Sequence, residues 1–481
     1  MNKKNLLVLL CDQQQRNVLD IYGGPVKTTA WRQLADSGVA FDNFYCASPL
    51  CVPTRPSMMN GKWPHSHGSI CFGEDYFLLN KGENILPSYL HDNSYQVAYD
   101  GIWHIKQHES DNRTGEYAYF KERSFSYQEY IDMCEAANLD KAQGYRSVCT
   151  PSDKGSWDWD FSVPVPLAWT GPLEEHPDMK IAQGIIDFIR DADREKPFAA
   201  WCSIGAPHPP ILPPREFFDL YKPEDMIPPP GFGEDMSGMP KTVSQWAPGY
   251  QSVKGWNWEN WSKAIAAYYA FSAFADYCMQ QVLDALEQSG QYENTVVMAA
   301  ADHGDMLGAH NLYQKGVLYD RAVRLPFVIV NAGNSGRCSR PSSHVDMTPT
   351  ILELLELPPM EGVQGTSLLS AVKDLEAIYE NKQFIEFNGY INCGIFSRGA
   401  VSRNYKYIYH HNDEDMLFDL RKDPNEMINL INDPEYTGIR DEFRKELVAW
   451  MRQTKDFLLQ EKLDFQKTIT AEGKFNVVSN I

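Results

Sequence analysis

Residues 295–304 read TVVMAAADHG, a β-rich apolar run that ends abruptly in Asp302, His303 and Gly304. A run of this length, closed by a turn signal, fits a strand covered on both faces. Residues 5–12, NLLVLLCD, have the same construction and also end in an aspartate. Three further runs follow the pattern: YQVAYDG (95–101), PFAAWCSIGAP (197–207) and LPFVIVNA (325–332). All five are expected to be parallel strands. Helical patterns lie between them at 30–37, 179–191, 262–289 and 345–355. Ile181, Ile185, Ile186 and Ile189 share one helical face, and Gly290 supplies a stop. The alternation predicts an α/β fold, with a large, mainly parallel central sheet flanked by helices.

Working outward, residues 105–175 and 205–260 are rich in Trp, Tyr and Pro and lack periodicity, as functional loops do. After about residue 375 the pattern changes. QFIEFN, GIFSRGAVSRN, YKYIYHHN and DMLFDL read as antiparallel strands, followed by a helix over 437–461. The expected division is a catalytic domain over 1–375 and a smaller C-terminal α+β domain with an antiparallel sheet over 376–481.

Bulk properties exclude several classes. The chain has 481 residues and a formal net charge of −20, which argues against a nucleic-acid partner. An anionic substrate stays open, because a local basic cluster can focus field inside an acidic protein. Ten cysteines form no C-x-x-C pair, so most of them read as buried free thiols, and Cys11 as a core residue. No run approaches the roughly 18 apolar residues of a membrane span. The N-terminus, MNKKNLLVLLCDQQQ, imitates a secretory leader. Its apolar run is short, and Leu10 rather than a small residue precedes Cys11. It reads as a strand, with a cytoplasmic location expected for the chain as written. A periplasmic or exported location is expected if a leader was removed.

Chemistry gathers at two strand ends. One delivers Asp12 and Gln13; the other delivers Asp302, His303 and Asp305. In open α/β sheets, ligands bind outside the carboxyl ends of the strands. Carboxylates, an amide oxygen and an imidazole brought together there would hold a divalent metal. Oxygen donors suit calcium, magnesium or manganese; the imidazole admits manganese or zinc. Either aspartate alone would read as a turn or helix cap.

A second segment, ASPLCVPTRPSMMNGKWPHSHG (47–68), places Cys51 between Pro49 and Pro53. Thr54 reads as a helix N-cap, Pro56 lies in the first turn and Gly61 is the stop. Cys51 would then precede a helix N-terminus beside Arg55, surroundings that lower a thiol pKa. His65 and His67 read as a structural turn.

Cys51-Val52-Pro53-Thr54-Arg55 resembles the sulfatase motif C-x-P-S-R, with Thr54 for the usual serine. PHSHG, GIWH, APHPPILPPREFFDLY, ADHGDMLGAHNLYQKG and RNYKYIYH…MLFDLRKDPNEMINL follow in matching order. Together they resemble the arylsulfatase-like branch of the alkaline phosphatase superfamily. The resemblance implies that a maturation enzyme oxidises Cys51 to formylglycine. The hydrated aldehyde would attack sulfur, form a covalent sulfate ester and expel sulfate as it collapses. It implies a metal held by Asp12, Gln13, Asp302, His303 and the group at position 51, calcium first, with manganese, magnesium or zinc as alternatives. Gln13 stands where the family has a second carboxylate. Arg55 would steady the formylglycine and Lys315 would clamp a sulfate oxygen. His208 would protonate the leaving alcohol, and His104 would take the remaining hydroxyl proton. His310 reads as substrate-facing or just behind the metal.

One departure stands out. The family writes GKWH where this chain has Gly101-Ile102-Trp103-His104. On an extended strand Ile102, His104 and Lys106 would share a face, so Lys106 is a candidate substitute in substrate binding. The expected activity is hydrolysis of a sulfuric ester of a small molecule or oligosaccharide. Trp157, Trp159, Trp169, Trp246, Trp256 and Trp258 are candidates to stack on a sugar or to anchor loops. The alternatives are a phosphonate monoester or phosphodiester hydrolase, a non-catalytic binder of sulfated ligands, and a simple thiol hydrolase.

Overall fold

The computed structural model describes residues 3–72, 76–123, 149–151, 157–159, 168–245, 247, 249, 253, 255–389 and 396–459, with backbone alone for 149–151 and 157–159. One sheet contains eight strands: β1 (Asn5–Asp12), β2 (Gly38–Phe41), β3 (Gln96–Gly101), β4 (Tyr119–Glu122), β5 (Phe198–Pro207), β6 (Thr295–Ala301), β7 (Phe327–Val330) and β8 (Gly336–Cys338). Their spatial order is β8-β2-β7-β6-β1-β5-β3-β4. From β6 to β4 every pairing is parallel. β7 is antiparallel to both neighbours, against the expectation for LPFVIVNA. An apolar run reports burial on both faces and says nothing of direction. The connection sets direction here: only short elements such as Asp320–Val323 separate β6 from β7, and a parallel return needs a sheet-length crossover.

Side chains of β1 divide between two cores. Leu6, Val8 and Leu10 join one buried cluster, while Leu7, Leu9 and Cys11 join the other. This is the period of two expected of a strand covered on both faces. Among the helices are α1 (Ala30–Ser37), α2 (Cys51–Asn60), α3 (Pro177–Asp191), α4 (Trp258–Gln288), α5 (Met347–Leu354) and α6 (Thr437–Gln453). α1, α3 and α4 close the second core, where Ile181, Ile185, Phe271 and Phe274 are buried together. Met58 of α2 and Ile351 of α5 lie in the first.

The C-terminal strands β9 (Gln383–Phe387), β10 (Ser397–Val401), β11 (Tyr405–His410) and β12 (Met416–Asp419) form an antiparallel sheet in sequence order. Ile385, Val401, Ile408 and Phe418 extend the first core of the large sheet. On the other side, Tyr407 and Leu417 pack with Phe443, Leu447 and Trp450 of α6. α6 ends at Gln453 rather than running to 461, and residues beyond 459 lie outside those described. Among the described residues, no helix is long and apolar enough to cross a membrane. Cys11, Cys46, Cys51, Cys71, Cys202, Cys278 and Cys338 are free and buried, as expected.

Candidate active site

Register builds the site. Cys11 pairs with Ala301 across β1 and β6, so Asp12 and Asp302 leave neighbouring strands at one level. Gln13 turns into left-handed backbone at φ 64, and its N–H donates to Asp302 Oδ1 at 2.9 Å. β3 ends in the same layer. Gly101, at φ 118, lies so close to β5 that a Cβ there would sit 1.9 Å from the Ser203 carbonyl oxygen.

Above these strand ends sits α2. It starts at Cys51, with Leu50 as the extended N-cap residue, so the expected cap at Thr54 is incorrect. Pro53 falls among the first helical residues, whose N–H groups need no partner inside the helix, so the helix can begin before it. Thr54 lies inside the helix, its Oγ1 2.7 Å from His344 Nδ1. Gly61 is the stop, at φ 67 with its N–H on the Ser57 carbonyl. The expected fall in the thiol pKa is also incorrect. Burial first, and the Asp12 carboxylate second, push the Cys51 thiol well up. The Arg55 charge does not reverse this, because the two aspartates engage it.

Arg55 is 2% exposed. Its Nε donates to Asp302 Oδ2 at 3.0 Å and its Nη2 to Asp12 Oδ2 at 3.0 Å. Nη1 donates to Ser203 Oγ at 2.8 Å and to the Ile102 carbonyl. That carbonyl also accepts from Tyr99 and Ser203. The Ile102 side chain is buried where the family lysine is absent.

The outward oxygens of the two aspartates face Cys51 and His303. His303 Nε2 lies 3.1 Å from Cys51 Sγ, 3.6 Å from Asp12 Oδ1 and 3.7 Å from Asp302 Oδ1. His303 Nδ1 faces the Gly304 carbonyl at 3.1 Å and must donate to it, so Nε2 presents its lone pair to the carboxylates. Burial pushes His303 down to about 3, so it does not relieve the anions by charging. Burial, then the Asp302 carboxylate, push Asp12 up to about 7. Anionic oxygens facing an imidazole lone pair form a donor set that fits a divalent cation. Ligand atoms of Asp12, Cys51, Asp302 and His303 all lie within 4.8 Å of one another.

The remaining sequence candidates separate into two groups. Lys315 is 4% exposed, with Nζ 2.6 Å from Gln13 Oε1 and 3.7 Å from Cys51 Sγ. His208 Nδ1 faces the Pro209 carbonyl, and burial, then Lys315, hold the imidazole neutral, well below its usual range. His104 lies near the Phe72 and Phe77 rings, and its buried Nδ1 has no hydrogen-bond partner among the described residues. Burial, then Arg55, push it down to about 3. These three join the cluster. Lys106 does not. β3 ends at Gly101 and His104 has φ 50, so 102–106 is not the extended strand that would align these side chains. Lys106 is exposed, and its carbonyl accepts from Leu79. His310 is engaged elsewhere, Nδ1 2.7 Å from Glu234 Oε1 and Nε2 3.0 Å from the Asn425 carbonyl. His65 bonds Glu386 and His67 bonds Ser57, structural contacts as expected.

Of the tryptophans, half-buried Trp169 packs on His176, Trp256 on Trp261, and Trp258, the first residue of α4, on Phe232. Trp246 and the side chains of Trp157 and Trp159 lie outside the described residues. Sequence reasoning missed Ser203, Tyr99 and the Thr54–His344 pair. Ser203 carried a faint signal, as the lone hydroxyl in an apolar strand run.

The family model for sulfatases matches residues 4–357, and the model for the C-terminal part of N-sulphoglucosamine sulphohydrolase matches residues 308–453. An arylsulfatase of Clostridium perfringens (strain 13 / Type A) is 29% identical over 483 residues, spanning 93% of this chain and 94% of that protein. The fold is shared with phosphonate monoester hydrolase of Agrobacterium radiobacter, at TM-score 0.79, 20% identity and 100% coverage of both chains. It is shared too with a protein solved in complex with its substrate D-glucosamine-2-N,6-O-disulfate, at TM-score 0.75, 19% identity, and 96% and 100% coverage. The family match over most of the chain agrees with a cysteine and an arginine converging on metal-type donors, and this chain belongs to the sulfatase family of sulfuric-ester hydrolases.

Proposed function

We propose that this protein hydrolyses a sulfate monoester of a sugar, using Cys51 matured to formylglycine beside one divalent cation. The convergence of Cys51 with Asp12, Asp302 and His303 within 4.8 Å carries this reading. When present, the matured side chain supplies the attacking oxygen and the cation activates it. Asp12, Asp302, His303, the Gln13 amide oxygen and the side chain at position 51 would hold the cation. Calcium is the proposed ion, and manganese is the competitor that His303 admits.

Each remaining side chain has a task that its position allows. Lys315 Nζ, 3.7 Å from the Cys51 sulfur, binds a sulfate oxygen. Arg55 orients both aspartates and the side chain at position 51. His208 donates through Nδ1 to Pro209, which leaves Nε2 for the leaving oxygen. The arriving anion favours the imidazolium that protonates that oxygen. His104 Nδ1, buried and without a partner among the described residues, takes a proton from the side chain at position 51. With Arg55 engaged by two carboxylates, Lys315 supplies the cationic charge for substrate, which suits a group bearing one negative charge. The sugar is supported by the structural relative solved with a glucosamine disulfate.

A second reading, phosphodiester or phosphonate monoester hydrolysis, is favoured by Ile102 in place of the lysine, since those esters also carry one negative charge. Mature enzyme tested on an aryl sulfate, an aryl phosphodiester and a panel of sulfated mono- and disaccharides separates the two. Sulfate release is expected to be faster, and phosphodiester preference overturns the first reading. Peptide mass spectrometry of position 51 is the companion measurement. An unmodified thiol after co-expression with a competent maturation enzyme, with no ester cleaved, makes the protein a binder.

A further inference from the structure

We infer that Asp305 is a positioning residue that fixes which end of the Gln13 amide faces the site, and through it the place of Lys315. The inference rests on the proposed roles of Gln13 and Lys315.

Gln13 bridges two buried groups. Its Nε2 donates to Asp305 Oδ2, and its Oε1 accepts from Lys315 Nζ at 2.6 Å. An amide can flip, but these partners leave one choice. An ionised carboxylate only accepts and an ammonium only donates. The nitrogen must therefore face Asp305 and the oxygen must face Lys315. Asp305 is in turn held by its other oxygen. Oδ1 accepts from the N–H of Leu307 at 2.7 Å and of Gln314 at 3.2 Å. Gln314 immediately precedes Lys315, so the same carboxylate pins the backbone that carries the lysine. Asp305, Gln13 and Lys315 are all buried.

This arrangement reinterprets the missing family carboxylate. The negative charge absent at position 13 is present at Asp305, and the polarised amide relays it to Lys315. A carboxylate at 13 would instead meet Asp305 anion to anion.

The relay gives an unusual mutational pattern. In Asp305→Asn the new Oδ1 keeps the two backbone donors, so Nδ2 faces Gln13. Gln13 must then flip, and its nitrogen meets the Lys315 ammonium donor to donor. Gln13→Glu alone sets two carboxylates against each other, although it adds an anion beside the metal-type donors. The double variant, Gln13→Glu with Asp305→Asn, restores every donor–acceptor match and the net charge. Calorimetric titration with Mn2+ of chelator-treated wild type and the three variants, with melting curves, reads the relay without turnover. Each single variant is expected to bind Mn2+ about tenfold more weakly or worse, as is usual when the group orienting a ligand is lost. The double variant is expected to return to within about threefold of wild type, strong non-additivity between contacting residues. If Asp305→Asn does not fold, recovery of folding and Mn2+ affinity in the double variant still supports the relay. A double variant as defective as the singles overturns it, as does Asp305→Asn binding Mn2+ like wild type. Sulfate turnover is measured in parallel. Wild type inactive on sulfate esters, with the swap pattern intact, overturns the function and leaves the relay standing; the converse result does the reverse.

Discussion

Arg55 sets the charge balance of the site at the scale of single residues. Its guanidinium forks between Asp12 and Asp302, with Ser203 and Ile102 taking the remaining donors. Arg55→Ala leaves two buried carboxylates without the guanidinium that bonds both, a defect that costs about 3–5 kcal/mol. Urea unfolding in the presence of a chelator measures that loss. Arg55→Lys is expected to recover little, because an ammonium cannot reproduce the fork. Much of this site was legible beforehand. Cys51, Arg55, Asp12, Asp302 and His303 were each named from motif and strand end. Ser203 and Tyr99 were not, because their roles arise from a backbone carbonyl, that of Ile102, which no sequence motif marks. Lys106 was misplaced because Gly101 and His104 take positive φ, and strand periodicity does not continue through such residues.

Helix ends show the same boundary between legible and hidden at the scale of elements. α1 occupies its expected span, whereas α3 begins at Pro177 because His176 caps it. The His176 Nδ1 accepts from the Asp178 N–H at 3.2 Å, a role open only to a neutral imidazole. Histidine is not among the preferred caps, so the one sequence signal for this start was Pro177 at the first helical position. Burial, opposed by contact with the Leu212 carbonyl, pushes His176 down to about 3. A histidine with a depressed folded pKa contributes stability that is complete above its unfolded pKa near 6.5. That stability is lost as pH falls towards 3, at about 1.4 kcal/mol per pH unit below 6.5. Asp178, pushed up to about 6 by burial, acts in the opposite direction over part of that range. Melting temperatures at pH 7 and pH 4.5 are therefore compared between wild type and His176→Asn. Asparagine caps without titrating, so the variant is expected to lose less stability on acidification.

For the whole molecule, the C-terminal sheet shares its interior with the large one. Ile385, Val401, Ile408 and Phe418 lie in the same buried cluster as Leu6, Val8 and Leu10. A buried charge cluster adds a second tie. Arg398 pairs with Asp456 and Glu386, and Glu386 accepts from His65 just beyond α2. Cutting at the proposed 375/376 boundary would expose that apolar face and part Glu386 from His65, while Arg398 keeps Asp456 and Glu386. Residues 376–481 expressed alone are expected to lack cooperative unfolding. The full chain is expected to unfold in one transition, followed by circular dichroism in guanidinium. An isolated C-terminal piece that melts cooperatively refutes this.

The sequence by itself determined the class of fold, the strand ends that carry chemistry and the identity of the central site residues. These depend on local pattern: apolar period, turn residues and motif spacing. Tertiary structure decided the direction of β7, the start of α2, the protonation of the Cys51 thiol and the partners of Gln13. The first two follow from a short connection and from where Pro53 is tolerated; the thiol and Gln13 depend on groups distant in the chain and on burial, which strengthens every charge and hydrogen bond it encloses. The thiol shows this most plainly. A helix start and an arginine beside it promised a thiolate, but burial first, and then the Asp12 carboxylate, keep the sulfur protonated.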